Sequence, residues 1–197
     1  MTSKENTSSI WDTEEYQAIK QLNFELLDAE LNEPPTSILD IGCGLAWESR
    51  MFNDKYGTEL WLLDGDVSAN ENKPETASEI NYHLTTNSFL FYQPMSWLKE
   101  QLDARGTKNY TLVDVNNISI PEDKKFDVIT SWLCCGFHFP ASSYRDLILK
   151  HSHENTRIFL DIRVNPKSRN VYHKDSIEIV KIIGEYKKHI NAEIRFL

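Results

Sequence analysis

The sequence predicts an α/β fold, a doubly wound and mostly parallel sheet covered by helices on both faces. Three observations carry that expectation. Short apolar runs alternate with stretches of helical periodicity along the chain. The connections between them are mostly short. The first run, Ser37–Ile41, reads as a buried strand and ends at Gly42-Cys43-Gly44, a turn that opens a helix.

Taken in order, residues 1–9 are polar and read as disordered, and 10–197 read as one domain. Trp11–Leu31 has the spacing of an amphipathic helix, with Ile19, Leu22, Leu26 and Leu27 near one face. Asn32-Glu33-Pro34-Pro35 ends it, because proline cannot continue a helix and biases its predecessor against helical angles. After strand 37–41 comes a helix over 46–56, then a strand over 58–63 that closes at Asp64-Gly65-Asp66. Residues 67–86 are polar and irregular and form an insertion, a candidate lid. A helix over 87–105 stops at Gly106. Strands follow at 109–115 and 126–133, a helix at 142–151 and a fifth strand at 156–163. Ile177, Val180, Ile183 and Tyr186 stand at helical spacing, so 174–190 reads as a helix, and 192–197 as a last strand.

Composition narrows the function. Lys and Arg number 21 against 30 Asp and Glu, a net charge of −9, which disfavours general binding to phosphate backbones. The polar start lacks a signal-peptide core, and no apolar run approaches the ~20 residues that cross a bilayer. The cysteines, Cys43, Cys134 and Cys135, have neither disulfide-framework nor zinc spacing, and a reducing, cytoplasmic setting is expected. His151 and His153 lack carboxylates at ligand spacing, so no metal is expected.

In doubly wound sheets ligands bind beyond the strand carboxyl ends, where strand order reverses. The glycine turn there is not a dinucleotide fingerprint, because Trp47 stands where that motif needs a small residue. No Gly-Lys-Ser/Thr follows to make a phosphate-cradling loop. What remains is an acidic residue followed by x-Gly-x-Gly. Ile38-Leu39-Asp40-Ile41-Gly42-Cys43-Gly44 resembles motif I of class I S-adenosylmethionine (SAM) methyltransferases. The resemblance covers roughly residues 35–163 and implies a three-layer, Rossmann-like sheet. The family sheet closes with two strands after the last long helix. Only 192–197 reads as strand there, leaving six or seven strands, with the closing hairpin in question.

The resemblance also implies a site. Asp40 would face the SAM ammonium, directly or through water, with Gly42, Cys43 and Gly44 close to the ligand. Ala46 stands where the family often has glycine, tolerable if its backbone angles are ordinary. Asp64, 20 residues after Gly44, would take the ribose hydroxyls beside Gly65, with Asp66 as the alternative. Asp114 would meet the adenine amino group, and the next backbone N–H, beside Val115, the ring. Ser131 and Trp132, the last of the implied cofactor contacts, open the loop after strand four, which would lie beside the transferable methyl. There His138 is the candidate general base, and Phe137 and Phe139 candidate acceptor contacts. Tyr16 of the leading helix and Tyr82 of the insertion are further acceptor contacts, with Asn81 and His83 near the latter.

The implied activity is methyl transfer from SAM, with S-adenosylhomocysteine (SAH) as product, to a small-molecule acceptor, a hydroxyl rather than an amine. The stretches 62–66 and 136–140 resemble bacterial or phage methyltransferases encoded with sugar and polysaccharide genes, which points to a sugar hydroxyl. Two readings stay open beside it. One is a SAM-binding partner or regulatory protein without turnover. The other is a tRNA or protein methyltransferase, which for RNA would need a basic patch from Lys167, Arg169, Lys174, Lys187 and Lys188.

Overall fold

The computed structural model describes residues 14–65, 94–137, 139–164 and 176–197. Trp11, Asp66, the 67–86 insertion with Asn81, Tyr82 and His83, His138, and Lys167, Arg169 and Lys174 lie outside the described residues.

Seven strands form one sheet in the order β3-β2-β1-β4-β5-β7-β6. These are β1 (Ser37–Ile41), β2 (Glu59–Asp64), β3 (Tyr110–Asp114), β4 (Val128–Ser131), β5 (Arg157–Arg163), β6 (Ile177–Glu185) and β7 (His189–Phe196). The first five run parallel, and β7 lies antiparallel between β5 and β6. The fold is therefore the expected mixed α/β, Rossmann-like arrangement. Strand order reverses between β1 and β4, which puts the binding crevice there.

Side-chain alternation divides the core. Leu39, Ile41, Leu63, Ile129, Leu160 and Ile162 face one layer, closed by a 3₁₀ turn (Ala141–Tyr144) and a short helix over 145–150. Ile38, Leu60, Leu62, Val128 and Phe159 face the other, under α1 (Glu14–Glu30), α2 (Trp47–Tyr56) and α3 (Met95–Ala104). The short helix is α4 (Arg145–Lys150). Each fully buried Leu or Ile contributes roughly 1.5–3 kcal/mol.

α2 ends where Gly57, at φ 72°, donates its N–H to the Asn53 carbonyl. α1 is held onto the sheet by Arg157 of β5, which bonds the Glu30 carbonyl and pairs with Glu193 of β7 through two nitrogens at 2.9 and 2.6 Å.

Three expectations need correction. Residues 177–190 are not a helix but β6, a turn and the start of β7, so the closing hairpin is present and Gly184 lies in a strand. The segment is rich in β-branched residues, which pack well on a pleated surface, and here β7 gives them a partner. Secondly, α1 is rotated relative to its predicted face. Ile19 and Leu22 are exposed, while Lys20, Asn23, Phe24 and Leu27 are buried. Burial of Lys20 and Asn23 is compensated by Glu48, which accepts a hydrogen bond from each, at 2.7 and 2.9 Å. Thirdly, the fourth strand is shorter than 126–133, because the chain turns at Leu133 with φ 56°. Phe24 packs edge-on against Phe52, with ring centroids 4.8 Å apart, and belongs to the core.

Candidate functional site

The crevice is built from four strand-end loops. The glycine turn is fastened to β2: the N–H groups of Gly42 and Cys43 both donate to the Leu63 carbonyl, at 2.7 and 3.2 Å. Gly42, Gly44 and Ala46 all lie at positive φ, 71°, 52° and 51°. A side chain at Gly42 would collide with Cys134 of the fourth loop, whereas the space over Gly44 is open. The turn thus touches protein on one side and leaves room on the other. Ala46 does not have ordinary angles: it pays left-handed strain, about 1–2 kcal/mol, that glycine would not.

Asp40 sits within β1 and is 1% exposed. Its Oδ2 accepts the Ser49 hydroxyl at 2.6 Å, and its Oδ1 has no partner among the described residues. Burial pushes its pKa up to about 7. Asp64 closes β2. Its Oδ2 accepts the Gly44 N–H and its Oδ1 the Gly65 N–H, each at 2.7 Å. Burial raises its pKa to about 6, against the lowering effect of those two amides. A carboxylate oxygen has two lone pairs, so each retains one for a ligand. The Asp64–Gly44 bond joins the first two loops into one wall.

Asp114 forms an Asx turn, its Oδ1 accepting the Asn116 N–H and amide at 2.9 Å each. The Val115 N–H, expected to meet a ring, already donates to the Asp64 carbonyl at 2.9 Å. That bond ties the third loop to the second. In the fourth loop the Ser131 hydroxyl donates to the Ile41 carbonyl at 2.7 Å and accepts the Cys135 N–H at 2.8 Å. Ser131 is thus a brace between β1 and β4. Trp132 is buried with its Nε1–H unpartnered among the described residues. Phe139 is held by backbone bonds to Cys134 and Gly136. Phe137 is buried, with the Arg163 guanidinium 4.1 Å over its ring. Burial holds the thiols of Cys43 and Cys134 well above their usual range, so neither is an activated nucleophile.

Several residues here were not singled out from sequence. Lys20, Asn23, Glu48, Asp161, Tyr186 and His189 come together from α1, α2, β5, the β6–β7 turn and the start of β7. Asp161 is fully buried, bonds the Leu133 N–H at 2.8 Å and the Asn191 amide, and lies 3.7 Å from His189 Nε2. The sequence signal was a carboxylate inside the apolar strand Ile158-Phe159-Leu160-Asp161-Ile162, which a buried strand rarely carries without a partner. Tyr16 borders this group, the Lys20 ammonium lying 5.2 Å from its ring centre.

Among the described residues, no group of three or more His, Cys, Asp or Glu is placed to hold a metal ion. None of the described helices is long and apolar enough to cross a membrane. No family model and no curated protein sequence matches the chain. Solved structures do share its fold. The ribosomal protein L11 methylase of Lactobacillus delbrueckii subsp. bulgaricus is 16% identical, with 92% of this chain and 79% of that one covered at a TM-score of 0.57. A methyltransferase from Pyrococcus furiosus is 16% identical over 90% and 82%, at 0.58. A variant of MtNAS in complex with S-adenosylmethionine is 10% identical over 98% and 67%, at 0.57. At such identities the shared property is the fold.

Proposed function

We propose that the chain binds SAM across its first three strand-end loops and transfers the methyl group to a small-molecule hydroxyl, a sugar hydroxyl included. The observation that carries this reading is the wall made by the Asp64–Gly44 bond beside the open side of the glycine turn. It presents carboxylates and backbone, where a phosphate ligand would be repelled. The residues fit SAM on a second count. Asp40 Oδ1 is a buried oxygen lacking a partner among the described residues, and an α-ammonium, reached directly or through water, would satisfy it. Asp64 would take the ribose hydroxyls with its remaining lone pairs, and Asp114 the adenine amino group with the lone pairs its Asx turn leaves free.

When bound, SAM supplies an electrophilic methyl on a positively charged sulfur. The chain's own contribution is alignment and exclusion of water. Ser131 and Asp161 fix the start of the fourth loop, through Ile41 and Leu133, so that its departure from β4 is set by the sheet. The net charge of −9 supports a small, neutral acceptor over nucleic acid.

Calorimetric titration tests the cofactor. SAM and SAH are expected to bind one site, and Asp64→Ala to weaken both by at least about tenfold, since a lost charged hydrogen-bond acceptor costs ~1.5–3 kcal/mol. Absence of binding, or wild-type affinity in the variant, overturns the assignment. Methyl-labelled SAM with a panel of sugars and other hydroxyl compounds tests the acceptor. Transfer only to protein or RNA refutes the small-molecule reading, and binding with no turnover on any acceptor favours a non-catalytic role.

A further inference from the structure

On the α1 side of the sheet, polar side chains stand on four adjacent strands, near the carboxyl ends of β1, β4 and β5 and the amino end of the antiparallel β7. Asp40 on β1 is in register with Thr130 on β4, and Asp161 on β5 with Asn191 on β7. All four are buried. Asp40 Oδ1, Thr130 Oγ1, Asn191 Oδ1 and the neighbouring Trp132 Nε1 have no partner among the described residues. Buried polar atoms are normally satisfied, so several orphans on one side of a sheet mark a place built for a polar ligand. Besides Asp40 Oδ1, which the SAM ammonium would take, they are a donor-only nitrogen, an acceptor-only oxygen and a hydroxyl that does both, a mixture suited to hydroxyl groups.

His189 stands at the edge of this row, paired in register with Arg163, the last residue of β5. Its ring is stacked on Tyr186 at 4.6 Å and 9°, and the Phe137 ring meets it edge-on at 5.3 Å. Tyr186 is fixed in turn by a hydrogen bond from its hydroxyl to Asn23 Oδ1, 2.7 Å long. Asp161 Oδ2 lies 3.7 Å from His189 Nε2 and also accepts the Leu133 N–H of the fourth loop. A carboxylate facing Nε2 favours the proton there and leaves Nδ1 as the lone-pair nitrogen. Catalytic hydrogen bonds are often this long before the ligand is present.

We propose that His189, oriented by Asp161, accepts the proton of the methyl acceptor, whose hydroxyl binds where the fourth loop, β5 and the β6–β7 turn meet. This deepens the methyltransferase reading and rests on it. The acceptor oxygen forms its bond to the methyl carbon as the sulfur–carbon bond breaks, and the electron pair of the broken bond stays on sulfur. His189 takes the proton that leaves the oxygen and becomes cationic, and Asp161 stabilises it. Burial, with the cations Lys20 of α1 and Arg163 of β5, lowers the His189 pKa to about 4. The ring is therefore neutral at pH 7. A weak base is sufficient, because an oxygen that is acquiring a methyl group becomes strongly acidic. Among the described residues, Asp161 and Tyr186 also stand beside the ring.

Sinefungin tests this without knowledge of the acceptor. It carries an amine-bearing carbon in place of the methylsulfonium, so its N–H groups stand where the methyl would be. Calorimetry on the full chain is expected to show sinefungin binding about tenfold tighter than SAH, the scale of one charge-assisted hydrogen bond. In His189→Gln, His189→Phe and Asp161→Asn the preference should fall below about threefold, with SAH affinity within about threefold of wild type. SAH binding also reports that each variant is folded. In the wild type, sinefungin and not SAH should shift the His189 ring nitrogens in NMR spectra, a readout that needs no folded variant. The proposal is overturned if SAH binds and no preference exists, if the preference survives in the His189 variants, or if it is lost in His138→Gln instead. If neither ligand binds, the cofactor reading fails and takes this proposal with it.

Discussion

Gly42 carries φ 71°, and a Cβ there would lie 2.4 Å from Cys134 Sγ and 2.5 Å from Cys134 Cβ. Gly42→Ala should therefore destabilise the fold by more than ~2 kcal/mol, combining left-handed strain with overpacking. Cys134→Ala should not restore it, because the Cys134 Cβ remains in the way, whereas Cys134→Gly should recover part of the loss. Denaturant midpoints of the single and double variants check this order. The requirement for glycine at 42 was legible in the motif. The left-handed Ala46 was not, because only the path of the turn fixes its angle. Asp40 allows a second prediction. Its buried carboxyl, with a pKa of about 7, is costly to ionise. Asp40→Asn should leave stability at pH 8 equal or higher while weakening SAM binding at least about tenfold, as expected for a lost ammonium partner. Loss of both stability and binding would show that the carboxylate is structural.

Among the elements, the strands were read well where burial on both faces leaves an apolar run, and β1 was read to the residue. The β6–β7 hairpin was misread because Ile177, Val180, Ile183 and Tyr186 fit a helical period as well as a bulged strand. β6 has register shifts between Ile179 and Lys181 and between Ile182 and Gly184, which break its alternation. The signals against a helix were Gly184 and the excess of β-branched residues. This hairpin supplies His189 and Tyr186 and, of the polar row, Asn191, so reading it as a helix hid how they meet Asp161. Its attachment depends on Arg157, which joins β5 to Glu193 of β7 and to the end of α1. Arg157→Ala should cost about 1.5–3 kcal/mol for the lost charged hydrogen bonds. Hydrogen exchange should show protection lost first in β7 and at the α1 C-terminus. A loss spread evenly over β1–β3 would contradict the assigned role.

For the whole molecule, the position of the crevice followed from topology, since alternating strands and helices place loops at one sheet edge. The polar interior was not legible, because it is assembled from α1, α2, β1, β4, β5 and β7, and no local pattern links them. That interior makes stability and cofactor binding respond oppositely to pH. Burial raises Asp40 and Asp161 to about 7 and Asp64 to about 6, whereas an unfolded Asp titrates near ~3.9. Across pH 6–8 the native chain thus binds more protons through these groups, and their contribution to stability falls as pH rises. His189 opposes this, being neutral in the native state at about 4 and protonated in the unfolded chain below ~6.5. The net loss of ligand-free stability from pH 6 to 8 should be on the order of 2–3 kcal/mol, as the carboxyls outnumber the imidazole. SAM, with its ammonium near Asp40, favours the ionised carboxylates and should bind more tightly over the same rise. At a hundred times its Kd it adds ~2.7 kcal/mol, a Tm increase of about 5–10 °C for a chain of this length. Thermal melts at fixed SAM concentration should therefore show the ligand-free Tm falling and the SAM-induced increase growing between pH 6 and pH 8. An increase that is constant with pH would mean that the ammonium is not held by the buried carboxylates.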